Sequence, residues 1–347
     1  MEKLHPGLIS ELDSKLVRYA ALLHDIGHPP YSHMLEDRTI FMTFHGHELW
    51  GWKIIDEPNN DLRKALIQNI GESGISRLKD IYAGRVHPIA LHEIVSSQLD
   101  VDRLDYLLRD QYHSGADVGT YDVQRIFRSL RLDENGSLRL HPNGVPAVES
   151  YLLTRLHMYK LVYFHKLNIL TSEYHRKALR RARELASSGR LEISDAIRGM
   201  LLSSDLDVSG YLSIDDSVVS SAISSWRESE DKELRFWVDR ILSRDSFHKR
   251  IRIPGLTPEH VERCMIAISA EISSAGYDPV RDLILARVDN VGYRPYQSGI
   301  RLVDGKDIAD ISSVAAAITE TVHDTMVFVP SSVRNACEEV VKSTLNL

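Results

Sequence analysis

A chain of 347 residues with 42 Lys+Arg against 49 Asp+Glu carries a formal net charge of −7 with His neutral. That length reads as two domains, and 43% hydrophobic with 26% charged residues excludes collagen-like, low-complexity and wholly disordered classes. The acidic excess argues against a general nucleic-acid coat, because phosphate-backbone binding is dominated by Lys and Arg, so an anionic ligand must meet a local cluster of positive charge.

In chain order, Leu12, Leu16, Tyr19, Ala20 and Leu23 recur at helical spacing after a Ser10 cap, and Gly27-His28-Pro29-Pro30 stops that helix, leaving His24 and Asp25 at its C-terminus. Further helical patterns cover 46–57, 60–70, 87–111, 122–131, 145–188, 193–203 and 215–243. β-Branched runs are nearly absent before residue 250. Beyond Pro254-Gly255 short strands are expected at 283–288, 300–303 and 325–329, alternating with helices at 258–275, 311–321 and 331–345. Arg287 to Tyr296 reads as an exposed turn between strands. The expected fold is mainly α, a helical domain over 1–250 followed by a smaller α+β domain over 251–347.

No run approaches the roughly 18 apolar residues of a membrane span, and the opening MEKLHPGLISELDSK lacks a signal-peptide core, so the expected setting is cytoplasmic and free of membrane. Cys264 and Cys337 offer neither a disulfide framework nor a Cys-based zinc site. Histidine is unusually frequent: of 16, five are His24, His28, His33, His45 and His47. His24-Asp25 joins an imidazole to a carboxylate. On a helix through 100–110, Asp102, Arg103, Tyr106, Arg109 and Asp110 share a polar face opposite Leu104, Leu107 and Leu108. Mixed imidazole and carboxylate donors suit a hydrolytic divalent ion such as Mn, Mg, Fe, Ni or Zn. Each piece also has a plain structural reading, a capped helix end for the pair and a solvated face for the helix.

Ala20 to His33, with Leu23-His24-Asp25-Ile26-Gly27-His28 at its centre, resembles the signature of the HD-domain phosphohydrolases, in the branch that contains the deoxynucleoside triphosphate triphosphohydrolases. Asp100 to Asp110 is similar to that branch's second motif and Arg155 to Lys166 to its third. The resemblance covers about 17–185 and extends weakly to Arg244–Arg250. It implies an HD helical bundle in which His24, Asp25 and Asp102 ligate the metal, and His28, His33 and His47 handle water, phosphate and leaving group. It further implies that Arg103, Tyr106 and Asp110 line the substrate pocket, joined by Arg155, Tyr159, Tyr163 and Lys166, which stand at i, i+4, i+8 and i+11 of a helical stripe.

In the family a further His ligand lies some 35–40 residues before the His–Asp pair, and only 23 residues precede His24 here. His5 is the one candidate in its place. The expected function is a metal-dependent phosphohydrolase on nucleotides, foremost a dNTP triphosphohydrolase acting as a homo-oligomer. The alternatives are hydrolysis of another phosphoester, such as a nucleoside monophosphate, or nucleotide binding and assembly with weakened catalysis.

Overall fold

The computed structural model describes residues 7–37, 39–42, 46–243, 247–253, 258–296 and 299–346. His5, His45, Arg244 and Pro254-Gly255 lie outside them. As expected, the chain is mainly helical with a small α+β portion toward its C-terminal end. Among the described residues no helix is long and apolar enough to cross a membrane. By packing, the chain forms two compact units: 1–28, 46–163 and 290–322 make the first, and 29–45, 164–289 and 323–347 the second. The division near residue 250 is one of element type, whereas these units interleave along the chain.

The first unit holds α1 (Glu11–Leu23), α2 (His47–Asp56), α3 (Asp61–Tyr82), α4 (Ala90–Glu93), α5 (Val101–Ser114), α6 (Val123–Ser129) and α7 (Val145–Met158). Ser10 caps α1 in a reciprocal box with Asp13. The apolar stripe of α1, Leu16, Ala20 and Leu23, is buried in one core with Leu66, Ile70, Leu78 and Ile81 of α3. A second core joins Leu104, Leu107, Val148, Tyr151 and Leu152 to Tyr293, Ile300, Leu302 and Ile308 from the late segment.

Sequence periodicity erred here in three places. The expected helix 87–111 is interrupted before α5, where Asp100 takes an extended conformation and its side chain accepts from the Arg103 amide. The expected helix 122–131 stops at Ser129, and Leu130–Leu132 (β1) pairs antiparallel with Leu138–Leu140 (β2), Leu130 opposite Leu140. The expected strand at 300–303 reduces to isolated bridges, Leu140 with Leu302 and Arg301 with Asp307. Nor is Arg287 to Tyr296 an exposed turn throughout: Tyr293 is fully buried and donates to Asp307 at 2.7 Å, because this stretch enters the core of the first unit.

The second unit holds α8 (Lys166–Ser187), α9 (Asp195–Leu202), α10 (Val208–Leu212), α11 (Asp216–Ser225), α12 (Lys232–Ser243), α13 (Pro258–Ser274), α14 (Pro279–Asp282) and the C-terminal helix Arg334–Leu345. Its sheet has the order β3 (His248–Ile251), β5 (Thr321–Pro330), β4 (Ile284–Val291), with β3 antiparallel to β5 and His248 opposite Pro330. Against it, Ile253, Cys264, Ile268, Ile272, Cys337 and Val341 close an apolar core.

Candidate metal centre

α1 ends one residue before His24, which keeps helical backbone angles as the cap. Its Nδ1–H donates to the Ala21 carbonyl at 2.9 Å, and since a carbonyl can only accept, Nε2 is the nitrogen left for another partner. Nε2 is buried and makes no well-directed hydrogen bond, yet Asp25 Oδ1 stands 3.1 Å and Asp102 Oδ1 3.3 Å away. Asp102 arrives from the first turn of α5, whose start is set by Asp100. One donor atom from each of His24, Asp25 and Asp102 lies within 4.8 Å of the others. One nitrogen and two carboxylate oxygens, with the imidazole oriented through its other nitrogen by a backbone carbonyl, fit a divalent cation. The neighbouring carboxylates, Asp102 first and then Asp25, raise the His24 pKa to about 10, against the effect of burial. His24 and then His28 hold Asp25 well below the usual carboxylate range.

His28 Nε2 is 3.4 Å from Asp25 Oδ1, and its ring stacks on that of His47 with centroids 4.0 Å apart. His47 opens α2 behind Gly46, whose φ of 102° suits glycine. Gly27 explains how α2 comes so close. A Cβ there would lie 2.0 Å from the His47 carbonyl oxygen and 2.2 Å from the Gly51 nitrogen.

The first unit therefore brings together His24, Asp25, His28, His47 and Asp102. Asp102, Tyr106 and Asp110 follow at i, i+4 and i+8 on α5 and share one face. Tyr163 donates to Asp110 at 2.8 Å, and Tyr159 and Tyr163 meet edge to face at 5.1 Å. Burial, reinforced by Tyr159, holds the Tyr106 phenol above its ordinary range, so it stays a donor at neutral pH. The Arg155 guanidinium lies 5.8 Å from the Tyr159 ring, and its Nη1 is buried without a hydrogen bond among the described residues. A buried cationic donor left unsatisfied invites an anionic partner. Arg103 is differently engaged: it donates to the Ser97 carbonyl at 2.7 Å and pairs with buried Asp100.

The expected stripe from Arg155 to Lys166 does not run along one helix. α7 ends at Met158, Tyr159–Tyr163 form a π-helical turn, and His165 caps a new helix that begins with Lys166. The wider turn destroys the i+4 register, and Lys166 belongs to the second unit. His33 does too; it sits in the 3-10 turn Ser32–Met34, 76% exposed, with Nδ1 3.1 Å from Glu36 Oε2.

Sequence reasoning missed two features of this unit. A cavity of about 350 Å³ adjoins His24 and His47, walled by Leu23, Leu49, Trp52, Ile55, Tyr82 and Val95. Gln98, four residues before Asp102, accepts from the Arg294 amide at 2.9 Å and donates back to its carbonyl, while Tyr151 donates to the Gln98 carbonyl at 2.8 Å. Nothing in the sequence pairs positions 98 and 294.

An imidazole and two carboxylates from two helices of a helical unit, beside tyrosines and an unsatisfied arginine, define a candidate divalent-metal centre facing an anionic ligand. Residues 1–110 match the HD domain and 121–195 the HD associated region. The chain therefore carries an HD domain followed by an HD associated region. It is 28% identical over 292 residues to the uncharacterized protein YwfO of Bacillus subtilis, covering 83% of this chain and 64% of that protein. It is 26% identical over 270 residues to the deoxynucleoside triphosphate triphosphohydrolase SAMHD1 of Gallus gallus, covering 67% and 42%. Its fold matches the crystal structure of a phosphohydrolase from Bacteroides thetaiotaomicron with a TM-score of 0.74 and 25% identity, over 93% of this chain and 81% of that one. The chain thus spans less than two thirds of either of these curated relatives.

Proposed function

We propose that this protein is a metal-dependent phosphohydrolase acting on nucleotides, and that its substrate is a deoxynucleoside triphosphate, cleaved with water to deoxynucleoside and triphosphate. The observation that carries the reading is the convergence of His24 Nε2 with Asp25 Oδ1 and Asp102 Oδ1 at 3.1 and 3.3 Å, all on the first unit. Similarity to SAMHD1 supports the substrate class.

His24, Asp25 and Asp102 would hold the ion. When bound, a divalent cation supplies Lewis-acid polarisation of the phosphate and favours deprotonation of attacking water. His28 stands beside Asp25 with its imidazole stacked on that of His47, and both rings can donate to phosphate oxygens or relay protons. Arg155 offers its buried Nη1 to the triphosphate, stabilising charge that grows on the departing oxygens. Tyr106, Tyr159 and Tyr163 present ring faces and hydroxyls for the sugar and base.

The test is to incubate the purified protein with each dNTP and Mn²⁺ or Mg²⁺ and resolve the products. Deoxynucleoside plus triphosphate is the expected outcome. Orthophosphate from a nucleoside monophosphate with dNTPs untouched moves the substrate to another phosphoester. Thermal stabilisation by a nucleotide without turnover, unchanged in His24→Ala, leaves a binding module.

A further inference from the structure

Between α4 and α5 the chain runs through turns and bends over residues 94–100, and Asp102 is only the second residue of the helix that follows. Helix ends fray by a residue or two, and the first amides of a helix need partners from outside it. The position of Asp102 therefore depends on how firmly this connection is held. Locally it is held by a knot. Asp100 accepts from the amides of Ser97 at 3.2 Å and Arg103 at 2.8 Å, the Leu99 amide donates to Ser97 Oγ at 3.1 Å, and the Val101 amide donates to the Ile94 carbonyl at 2.9 Å.

Gln98 ties the knot to a distant stretch of the same unit. Its side-chain amide is buried and pairs with the backbone of one residue, accepting from the Arg294 amide at 2.9 Å and donating to the Arg294 carbonyl. That backbone is anchored on both sides. Tyr293 is fully buried, its amide donates to the Ile318 carbonyl at 2.9 Å and its hydroxyl to Asp307 at 2.7 Å; beyond Arg294 the Tyr296 amide donates to the same carboxylate at 2.8 Å. Asp307 is itself fully buried, and a Cβ on Gly299 would lie 2.0 Å from its Oδ2, so the loop closes tightly around it.

A position that had only to fill space would carry an apolar residue, because a buried amide costs free energy unless its partners are in place. Here the partner stands 196 residues away along the chain. We propose that Gln98 is a positioning residue for Asp102: by tying the start of α5 to the loop anchored on Asp307, it fixes where Asp102 Oδ1 stands relative to His24 Nε2, 3.3 Å away, and so sets the affinity of the centre for a divalent cation. This rests on the reading above, in which Asp102 is a metal ligand. The segment 290–322, which carries none of the sequence motifs, then contributes to the metal centre through the backbone of Arg294.

The experiment titrates Mn²⁺ into the full chain by calorimetry, without nucleotide, and reads amide exchange of the peptide spanning residues 95–103 by mass spectrometry. Gln98→Met keeps the length of the side chain and removes both hydrogen bonds. It is expected to bind Mn²⁺ about tenfold more weakly, the lower end of what changes outside the ligand shell cause, and to exchange faster at the start of α5. Gln98→Asn, one methylene shorter, should shift both in the same direction and serves if Gln98→Met does not fold. Ile126→Ala opens a cavity in the core of the first unit and controls for loosening in general: its melting temperature should fall while its Mn²⁺ affinity stays with the parent's. Since the clasp acts through Asp102, the double variant Gln98→Met/Asp102→Asn should bind no more weakly than Asp102→Asn. A folded Gln98 variant with the parent's affinity overturns the proposal. So does a double variant whose losses multiply in full, or an Ile126→Ala protein that loses as much affinity as Gln98→Met. If Asp102→Asn binds Mn²⁺ like the parent, or the parent binds none, the reading of the metal centre falls and takes the proposal with it. If the affinities follow the expected pattern and the parent turns over no nucleotide, the substrate reading falls and the role of Gln98 stands.

Discussion

Gly27→Ala is the sharpest test of how the centre is assembled. The new Cβ would sit 2.0 Å from the His47 carbonyl oxygen, where ordinary contact begins at 3.4 Å. The obstacles are backbone atoms in the first turns of α2, which cannot rotate away, so the helix start or the His24–His28 turn must move by more than 1 Å. Overpacking of this kind costs about 1–3 kcal/mol, and a fixed backbone places this case at the upper end. For a body of this size that is a fall in Tm of about 5–10 °C. Moving His47 relative to His28 should also cut turnover about a hundredfold. Gly51→Ala is the matched control, for its Cβ would meet nothing closer than 3.8 Å; inside α2 it should be neutral or gain up to about 1 kcal/mol. Thermal melts followed by circular dichroism, with a Mn²⁺ titration of each folded variant, read both effects. If Gly27→Ala melts with the parent, or Gly51→Ala is equally damaging, the close approach of the two backbones does not hold the site together.

Asp102→Asn removes one of two anionic donors, and calorimetric titration with Mn²⁺ should show affinity lower by more than about a hundredfold, beyond what changes outside the ligand shell cause; unchanged affinity would remove Asp102 from the ligand set. Arg155→Ala should raise KM for a dNTP at least about tenfold while leaving Tm near the parent's, because its buried Nη1 makes no hydrogen bond among the described residues. A large fall in Tm with unchanged KM would instead make it a packing residue. Burial in the second unit lowers the His248 pKa from 6.5 to about 4, with Nδ1 2.8 Å from the Tyr174 hydroxyl. Below pH 6.5 the unfolded chain takes up a proton that the folded chain refuses, so stability should fall by up to about 3 kcal/mol between pH 6.5 and 4 and not change above it through this group. Urea midpoints across that range should lose this slope in His248→Gln.

The opening motif was legible because its parts are neighbours. His24 and Asp25 follow a periodic helix with a Ser10 cap and precede a Gly-Pro stop, so local rules place them at a helix end. Asp102, Tyr106 and Asp110 were legible as a face because α5 is regular from Val101 to Ser114. The stripe from Arg155 to Lys166 was misread for the complementary reason: a π-helical turn and a cap at His165 change the register without any Gly or Pro to announce it.

By itself the sequence determined the mainly helical class, the end of α1 and the residue types of a mixed nitrogen and oxygen centre, since these follow from spacing along a few turns of chain. Tertiary structure alone decided that Asp102 meets His24, that a late segment ending its own fold partner-less in the sequence enters the first unit to grip Gln98, and that Tyr31 is held by α11. Those pairings join residues about 80 to 200 positions apart. Such contacts are selected by the burial of whole faces and the satisfaction of buried polar groups, quantities that no local stretch of sequence contains.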